Sequence, residues 1–408
     1  MFTALFRRLR SRTPQSPRAF VPRVEGVEER LAPAFLAATD YGTRAGNAVV
    51  VADFNGDGRL DLATVVTSTP SSKKNPLGPR SFGVGVQLGD GRGGFGAVKQ
   101  TTLGTGSQAA PSGMAAGDFN RDGRADLVTT QGGTVTVLLG KGTGLFETPR
   151  NFALTNANGF SLAVADFDGD GKLDAAVTGL RIASASTTMN GVVDVFKGDG
   201  RGSLAVAQSH TLPAAKAYYF MDYSHPANGT VTTVGDFNAD GRPDLAVAVT
   251  FDIFGSAPVY TLANASGSLA APVAAGVNAV GTLAVGDMNS DGRADLVTGS
   301  GISLGNGDGT FQPPALSALA DLSEYEDGIA LADFNGDGHL DVATTTRFFL
   351  GNGDGTVRAS VDYAPWTYSG VFGGVAVGDF NGDGRPDLAS AAGDGSYSLR
   401  VALNDGKW

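Results

Sequence analysis

The side chains able to do chemistry in this sequence sit in a nine-residue pattern, D-x-[DN]-x-D-G-x-x-D, that occurs seven times. Its first position is Asp53, Asp118, Asp166, Asp236, Asp287, Asp333 and Asp379. Its third is Asn55, Asn120, Asp168, Asn238, Asn289, Asn335 and Asn381. The fifth is Asp57, Asp122, Asp170, Asp240, Asp291, Asp337 and Asp383, and the ninth is Asp61, Asp126, Asp174, Asp244, Asp295, Asp341 and Asp387. Short oxygen-bearing side chains at these positions, with a glycine at position six to turn the chain sharply, wrap hard donors around one point. A backbone carbonyl at position seven completes such a cage and leaves that side chain free to vary among Arg, Lys and His. Oxygen donors in a flexible cage of six or seven select Ca2+ over Mg2+, which keeps its water and takes fewer protein ligands. The expected cofactor is therefore Ca2+, up to seven ions per chain.

The pattern begins like the calcium loop of an EF-hand, but that loop needs Glu at position twelve. Here position twelve is Thr64, Thr129, Val177, Val247, Thr298, Thr344 and Ser390, and the flanks read as strands, so EF-hands are excluded. Six loops carry three carboxylates and the third carries four, in a chain of formal charge −11 that seven divalent ions would turn to +3. Without metal, three carboxylates within a few ångströms repel one another, so each loop is expected to open or to titrate at higher pH. Asp168→Ala, in the most acidic loop, is expected to lower calcium-dependent stability without abolishing the fold.

The elements that position these loops follow from periodicity. Each pattern succeeds an apolar stretch such as 47–52 and leads into an alternating run such as Leu60, Leu62, Thr64 and Val66, the period of two of a strand. Each is therefore the connection of a β hairpin. Successive copies lie 65, 48, 70, 51, 46 and 46 residues apart, and a four-stranded propeller blade takes about 40 to 50 residues. A second, weaker repeat begins with LGDGRGGF at 88–95 and continues through LGKGTGLF, KGDGRGSL, LANASGSL, LGNGDGTF and LGNGDGTV to LNDGKW. It reads as the turn between strands three and four, where Gly and Asn supply positive φ. The last such turn occupies 403–408, so the seventh blade lacks a following outer strand, and the segment 35–41 is expected to supply it and close the ring. The expected fold is all-β, a seven-bladed β propeller of four-stranded antiparallel blades over 34–408.

Composition agrees. Gly at 60 of 408 residues favours many short strands and tight turns. There is no cysteine and only three histidines, His210, His225 and His339, which excludes disulfides and thiolate sites and argues against zinc. An acidic chain repels nucleic acid, and no apolar run reaches the length of a membrane span.

The seven Asp motifs resemble the FG-GAP/VCBS-type repeats of the integrin α-subunit propeller and of many bacterial surface proteins, over roughly residues 35–408. The Phe-Gly and Gly-Ala-Pro signatures are degenerate here, GFGAV at 94–98 being the nearest. The resemblance implies that the calcium loops join the first two strands of each blade on a lower face. It further implies that ligands are met on the opposite face by the loops joining strands two and three and strand four to the next blade. Inserted loops at 67–81, 214–228 and 251–257 then belong to the ligand face. Tyr218, Tyr219, Tyr223 and His225, with Trp366 and Tyr368 in a corresponding loop, are candidate contacts to a protein or glycan ligand, since exposed aromatics stack on sugars and anchor partners.

Residues 1–33 are basic and free of Asp, and RVEGVEERLAPA at 23–34 is similar to a leader of exported bacterial proteins. This points to an export segment and an extracellular or cell-surface location, where calcium suffices to fill such loops. The expected function is a monomeric module for adhesion or ligand binding, without catalysis. Two alternatives stand beside it, a carbohydrate-active hydrolase or lyase and a purely structural surface component. A hydrolase needs two carboxylates at a set separation on one face. Outside the loops the candidates are Asp321, Glu324, Glu326 and Asp327 in one loop, with Asp222, Asp252 and Asp362 elsewhere, and no nucleophile motif supports them.

Overall fold

The computed structural model describes residues 35–36, 38–41, 45–68, 81–105, 111–155, 158–182, 189–213, 230–249, 257–279, 282–315, 319, 328–345, 347–358, 361–362, 374–392 and 398–408. Seven antiparallel sheets follow one another along the chain. The first blade consists of Ala45–Ala52, Asp61–Ser68, Ser81–Gln87 and Lys99–Thr105, hydrogen-bonded in that order. The third consists of Asn158–Ala165, Asp174–Ile182, Met189–Gly198 and Leu204–Thr211. The fifth has three strands among the described residues, Leu283–Gly286, Asp295–Thr298 and Gly301–Ser303. No α-helix occurs among the described residues, so none is long and apolar enough to cross a membrane. The architecture is the all-β, seven-bladed propeller that the repeat spacing requires.

Why the inner strands read as unbroken apolar runs follows from this stacking. Each blade packs face to face on two neighbours, so its second strand is buried on both sides; Asp244–Val249 is buried at every residue. The apolar clusters therefore lie at the seams between blades. Val128 and Val137 of the second blade pack on Ala175, Val177 and Phe196 of the third. Phe380, Ala389 and Val401 of the seventh pack on Leu62 of the first. Each fully buried Leu, Val or Phe contributes about 1.5–3 kcal/mol, so the seams carry most of the apolar stabilisation.

The seventh blade is built from Val375–Gly378, Asp387–Ala392 and Ser398–Ala402, and its outer position is held by Thr39–Asp40. Thr39 lies opposite Val401 and Asp40 opposite Arg400. Flanking bonds extend the contact: Leu36 N–H donates to Leu403 O (2.8 Å) and Tyr41 N–H to Leu399 O (2.9 Å). Phe35 sets its ring edge-on to Phe334 and Phe348 of the sixth blade and to Trp408 near the C-terminus, each at 5.9 Å.

Candidate metal centres

Each Asp pattern bridges the first and second strands of its blade, and its ninth residue opens the second strand, as Asp61 and Asp174 do. The loop is shaped from within by its first aspartate. Asp53 Oδ1 accepts the Gly56 N–H and Oδ2 the Gly58 N–H, both at 2.7 Å. The bond from the position-six glycine to the first aspartate recurs in every copy at 2.7–2.9 Å. Position four holds a positive φ throughout. It is glycine in four copies and Arg121, Ala239 and Ser290 in the others, at 61°, 59° and 59°, a left-handed conformation that costs a side chain about 1–2 kcal/mol.

Backbone N–H groups and a cation at position seven answer the loop carboxylates. Arg59 lies beside Asp57 at 4.0 Å, Arg124 beside Asp122 at 3.7 Å and Arg385 beside Asp383 at 3.1 Å. Position seven varies among arginine, lysine and histidine, as Arg59, Arg124, Lys172, Arg242, Arg293, His339 and Arg385, and is always basic. In six copies this side chain lies over the turn glycine of its own blade, as Arg59 does over Gly91, and Arg242 instead donates to Ala265 O in the fourth blade's turn at 2.6 Å.

In the six loops with asparagine at position three, its amide nitrogen donates to the fifth-position Oδ2 at 2.9–3.3 Å. Half a turn of that amide exchanges donor for acceptor and offers oxygen at the same place. In the third loop one carboxylate oxygen each from Asp166, Asp168 and Asp174 lies within 4.8 Å of the others. Lys197 Nζ contacts Asp168, and Lys172 Nζ lies 2.8 Å from Asp170. Hydrogen bonds from Lys172 and Lys197 hold the Asp170 carboxyl down to about 2. The donor set of short carboxylates and amides fits a hard divalent cation such as Ca2+.

The ninth position has a second job. Asp61, Asp126, Asp174, Asp244, Asp295, Asp341 and Asp387 are all buried. One oxygen accepts the N–H of position two, and the other accepts an N–H from the strand three-to-four turn: Phe54 (2.9 Å) and Gly89 (2.9 Å) for Asp61, Phe119 (2.8 Å) and Gly140 (2.7 Å) for Asp126. Each carboxylate thus brackets the loop to that turn and keeps lone pairs for a cation. Burial pushes the carboxyls of Asp61, Asp174, Asp244 and Asp295 above their ordinary range. It takes those of Asp126, Asp341 and Asp387 up to about 6, against the pull of the N–H bonds and with neighbouring loop acids adding.

Position two, which sequence reasoning passed over, ties each loop to the next blade. It is Phe54, Phe119, Phe167, Phe237, Met288, Phe334 and Phe380, each buried to 2 % exposure, and the constant large apolar residue was the available signal. Its carbonyl accepts a bond from the following blade's turn. Gly144 N–H reaches Phe54 O (3.1 Å), Gly202 Phe119 O (3.1 Å), Gly309 Phe237 O (2.9 Å), Gly355 Met288 O (3.1 Å) and Gly93 Phe380 O (2.9 Å). In the fourth and seventh blades a side chain does this instead: Asn264 Nδ2 donates to Phe167 O (2.6 Å) and Asn404 Nδ2 to Phe334 O (2.7 Å). The series runs through all seven seams.

The proposed ligand-face residues Tyr218, Tyr219, Tyr223, His225, Trp366 and Tyr368 lie outside the described residues, as do Asp222, Asp252, Asp321, Glu324, Glu326 and Asp327. Asp362 ends the strand Val361–Asp362.

The family model of the FG-GAP-like repeat matches residues 118–177, 236–298, 299–344 and 343–390, more than half of the chain, and that of the FG-GAP repeat matches 45–70. Phosphatidylinositol-glycan-specific phospholipase D of Rattus norvegicus is 28% identical over 159 residues, 34% of this chain and 18% of the relative. Integrin alpha-7 of Homo sapiens is 28% identical over 155 residues, 36% of this chain and 12% of the relative. The chain spans less than a fifth of the length of these relatives. Among solved structures, an Agrocybe aegerita lectin that recognises non-reducing terminal N-acetylglucosamine aligns with a TM-score of 0.53 at 18% identity, covering 86% of each chain. That likeness is one of fold.

Proposed function

We propose a function from the premise that this chain belongs to the FG-GAP-like repeat family: it is a calcium-stabilised propeller that presents a rigid face to a protein or glycan ligand outside the cell. The observation that carries the reading is the repetition of one donor set, D-x-[DN]-x-D-G-x-x-D, at the same hairpin of every blade, each clamped by the following blade. The aspartates at positions one and five, the side chain at position three and the remaining lone pairs of position nine would hold the ion. A bound Ca2+ supplies positive charge to carboxylates that otherwise repel. This chain's own residues do the rest. Position nine brackets the loop to its turn, position two hands it to the next blade, and the basic position seven screens position five.

Binding to the native state alone stabilises by about 1–3 kcal/mol per site when free calcium is about 10 to 100 times Kd. Because every loop touches the next blade, stiffening a loop stiffens a seam. Similarity to human integrin alpha-7 supports a place outside the cell, and the lectin's fold supports glycan as one ligand class. The test is binding of the purified chain to a glycan array and to extracellular-matrix proteins, in calcium and in chelator. Calcium-dependent binding supports the reading, and its absence on every surface would count against a ligand-binding role. A catalytic reading stands second, on the similarity to phospholipase D over 34% of the chain. Turnover of phosphatidylinositol-glycan or polysaccharide substrates by the purified chain would favour it.

A further inference from the structure

The third loop departs from the other six at two places, and the two departures meet in space. Position three is Asp168 where every other copy has Asn. The residue that precedes the strand-three turn is Lys197, where five copies have Leu88, Leu139, Leu304, Leu350 and Leu403 and the fourth has Ala263. Those leucines face the following blade: a Cβ added at Gly144 would come 2.9 Å from Leu88 Cδ2, and one at Gly93 2.4 Å from Leu403 Cδ1. Lys197 turns to its own loop instead. Its Nζ contacts Asp168 Oδ2 and lies 3.2 Å from Asp170 Oδ2. That fifth-position Oδ2 is the atom that accepts the asparagine amide in the six other loops.

Charge accounts for the pairing. Four carboxylates with Lys172 and Lys197 carry the same net −2 as three carboxylates with one arginine in the first loop, so the extra acid adds no pull on a divalent ion. The cation that answers it is already attached to the chain, and a covalently tethered charge needs no concentration to bind. Any ion entering among Asp166, Asp168 and Asp174 has to displace that ammonium.

We propose that the Lys197 ammonium stands in for the divalent cation in the third loop, so that six loops answer to calcium and the third is closed by the chain's own side chain. This rests on the calcium reading of the other six. It reverses the order suggested by acid count alone, in which the most acidic loop is the most calcium-dependent. The third seam then stays locked when calcium is withdrawn and the other six slacken.

The experiment is hydrogen–deuterium exchange of the full chain, resolved by peptide, in EGTA and in millimolar calcium chloride, for wild type, Lys197→Leu and the double variant Asp168→Asn/Lys197→Leu. Leucine stands at that position in five other blades, and the double variant gives the third loop the first loop's residues at both positions, so both variants are expected to fold. In EGTA, wild-type residues 166–174 are expected to exchange about tenfold more slowly than the other loops, and Lys197→Leu to abolish that protection there alone. In calcium the other six loops gain protection, the wild-type third loop does not change, and in the double variant it gains as the others do. A third loop that gains protection with calcium in wild type, or one whose exchange in EGTA is unaffected by Lys197→Leu, overturns the proposal. If no loop responds to calcium, the calcium reading falls, and the EGTA comparison of wild type with Lys197→Leu still decides whether the ammonium closes the loop.

Discussion

Asn264 offers the sharpest test of how the seams are held. The fourth blade's turn is one residue shorter than its counterparts: Asn264 bridges to Leu269, whereas Gly89 bridges to Phe95 and Gly305 to Phe311. The backbone N–H that makes the clamp in five other blades has no counterpart there, and the Asn264 side chain spans the gap. At 1% exposure, its Nδ2 donates to Phe167 O (2.6 Å) and Pro243 O (3.2 Å), and its Oδ1 accepts the Gly267 N–H (3.0 Å). Asn264→Ala removes all three bonds and leaves two carbonyls and one N–H unpaired. At about 1 kcal/mol each the loss is about 3 kcal/mol. With about 2.1 cal/mol/K of unfolding entropy per residue, the unit Ala32–Trp408 loses about 4 °C in melting temperature for that energy. Calorimetry of wild type, Asn264→Ala and Asn306→Ala is the assay. Asn306 sits in the fifth blade's turn and makes only the exposed bond from its Nδ2 to Thr310 Oγ1 (2.9 Å), so its loss is expected to cost under about 0.5 kcal/mol. Equal melting temperatures for the two variants would refute the clamp.

The buried ninth-position aspartates make metal-free stability depend on pH. Asp126, Asp341 and Asp387 titrate at about 6 in the folded chain against an ordinary 3.8, so the stability they contribute is full below about pH 4 and lost as pH rises through 6. Thermal unfolding in EGTA is therefore expected to occur at higher temperature at pH 5 than at pH 7, and an equal or lower value at pH 5 would contradict the assignment. In calcium the order reverses, because protons compete with the ion for the same oxygens. A chain beginning at residue 42 removes Thr39–Asp40 and the Phe35 ring contacts, exposes the edge of Ser398–Ala402, and is expected to melt several degrees lower and to aggregate on heating. An unchanged melting curve for that chain would mean that the N-terminal strand does not lock the seventh blade.

Blade number and loop position were legible because both are periodic: the Asp patterns recur at blade spacing, and a period of two surrounds each. The outer-strand pairing of Thr39–Asp40 was legible from the turn at 403–408 and the apolar segment ahead of the first motif. What stayed hidden was everything set by contacts distant in sequence. Asn264 and Phe167 are 97 residues apart, and nothing local to either predicts the bond. The two roles of position nine were hidden for the same reason, since Asp61 reaches Gly89 only after two strands have folded back. The place of the position-seven side chain was hidden likewise, since Arg59 reaches Gly91 only across two folded strands.

The most direct test of the account is calorimetric unfolding of the purified chain in EGTA and in millimolar calcium, with bound metal counted by mass spectrometry. Six filled sites at about 1–3 kcal/mol each, over the unfolding entropy of the Ala32–Trp408 unit, predict a rise of roughly 8 to 23 °C with six calcium ions per chain. No rise and no bound metal would mean that the seven Asp patterns only shape turns, and the calcium account would be wrong.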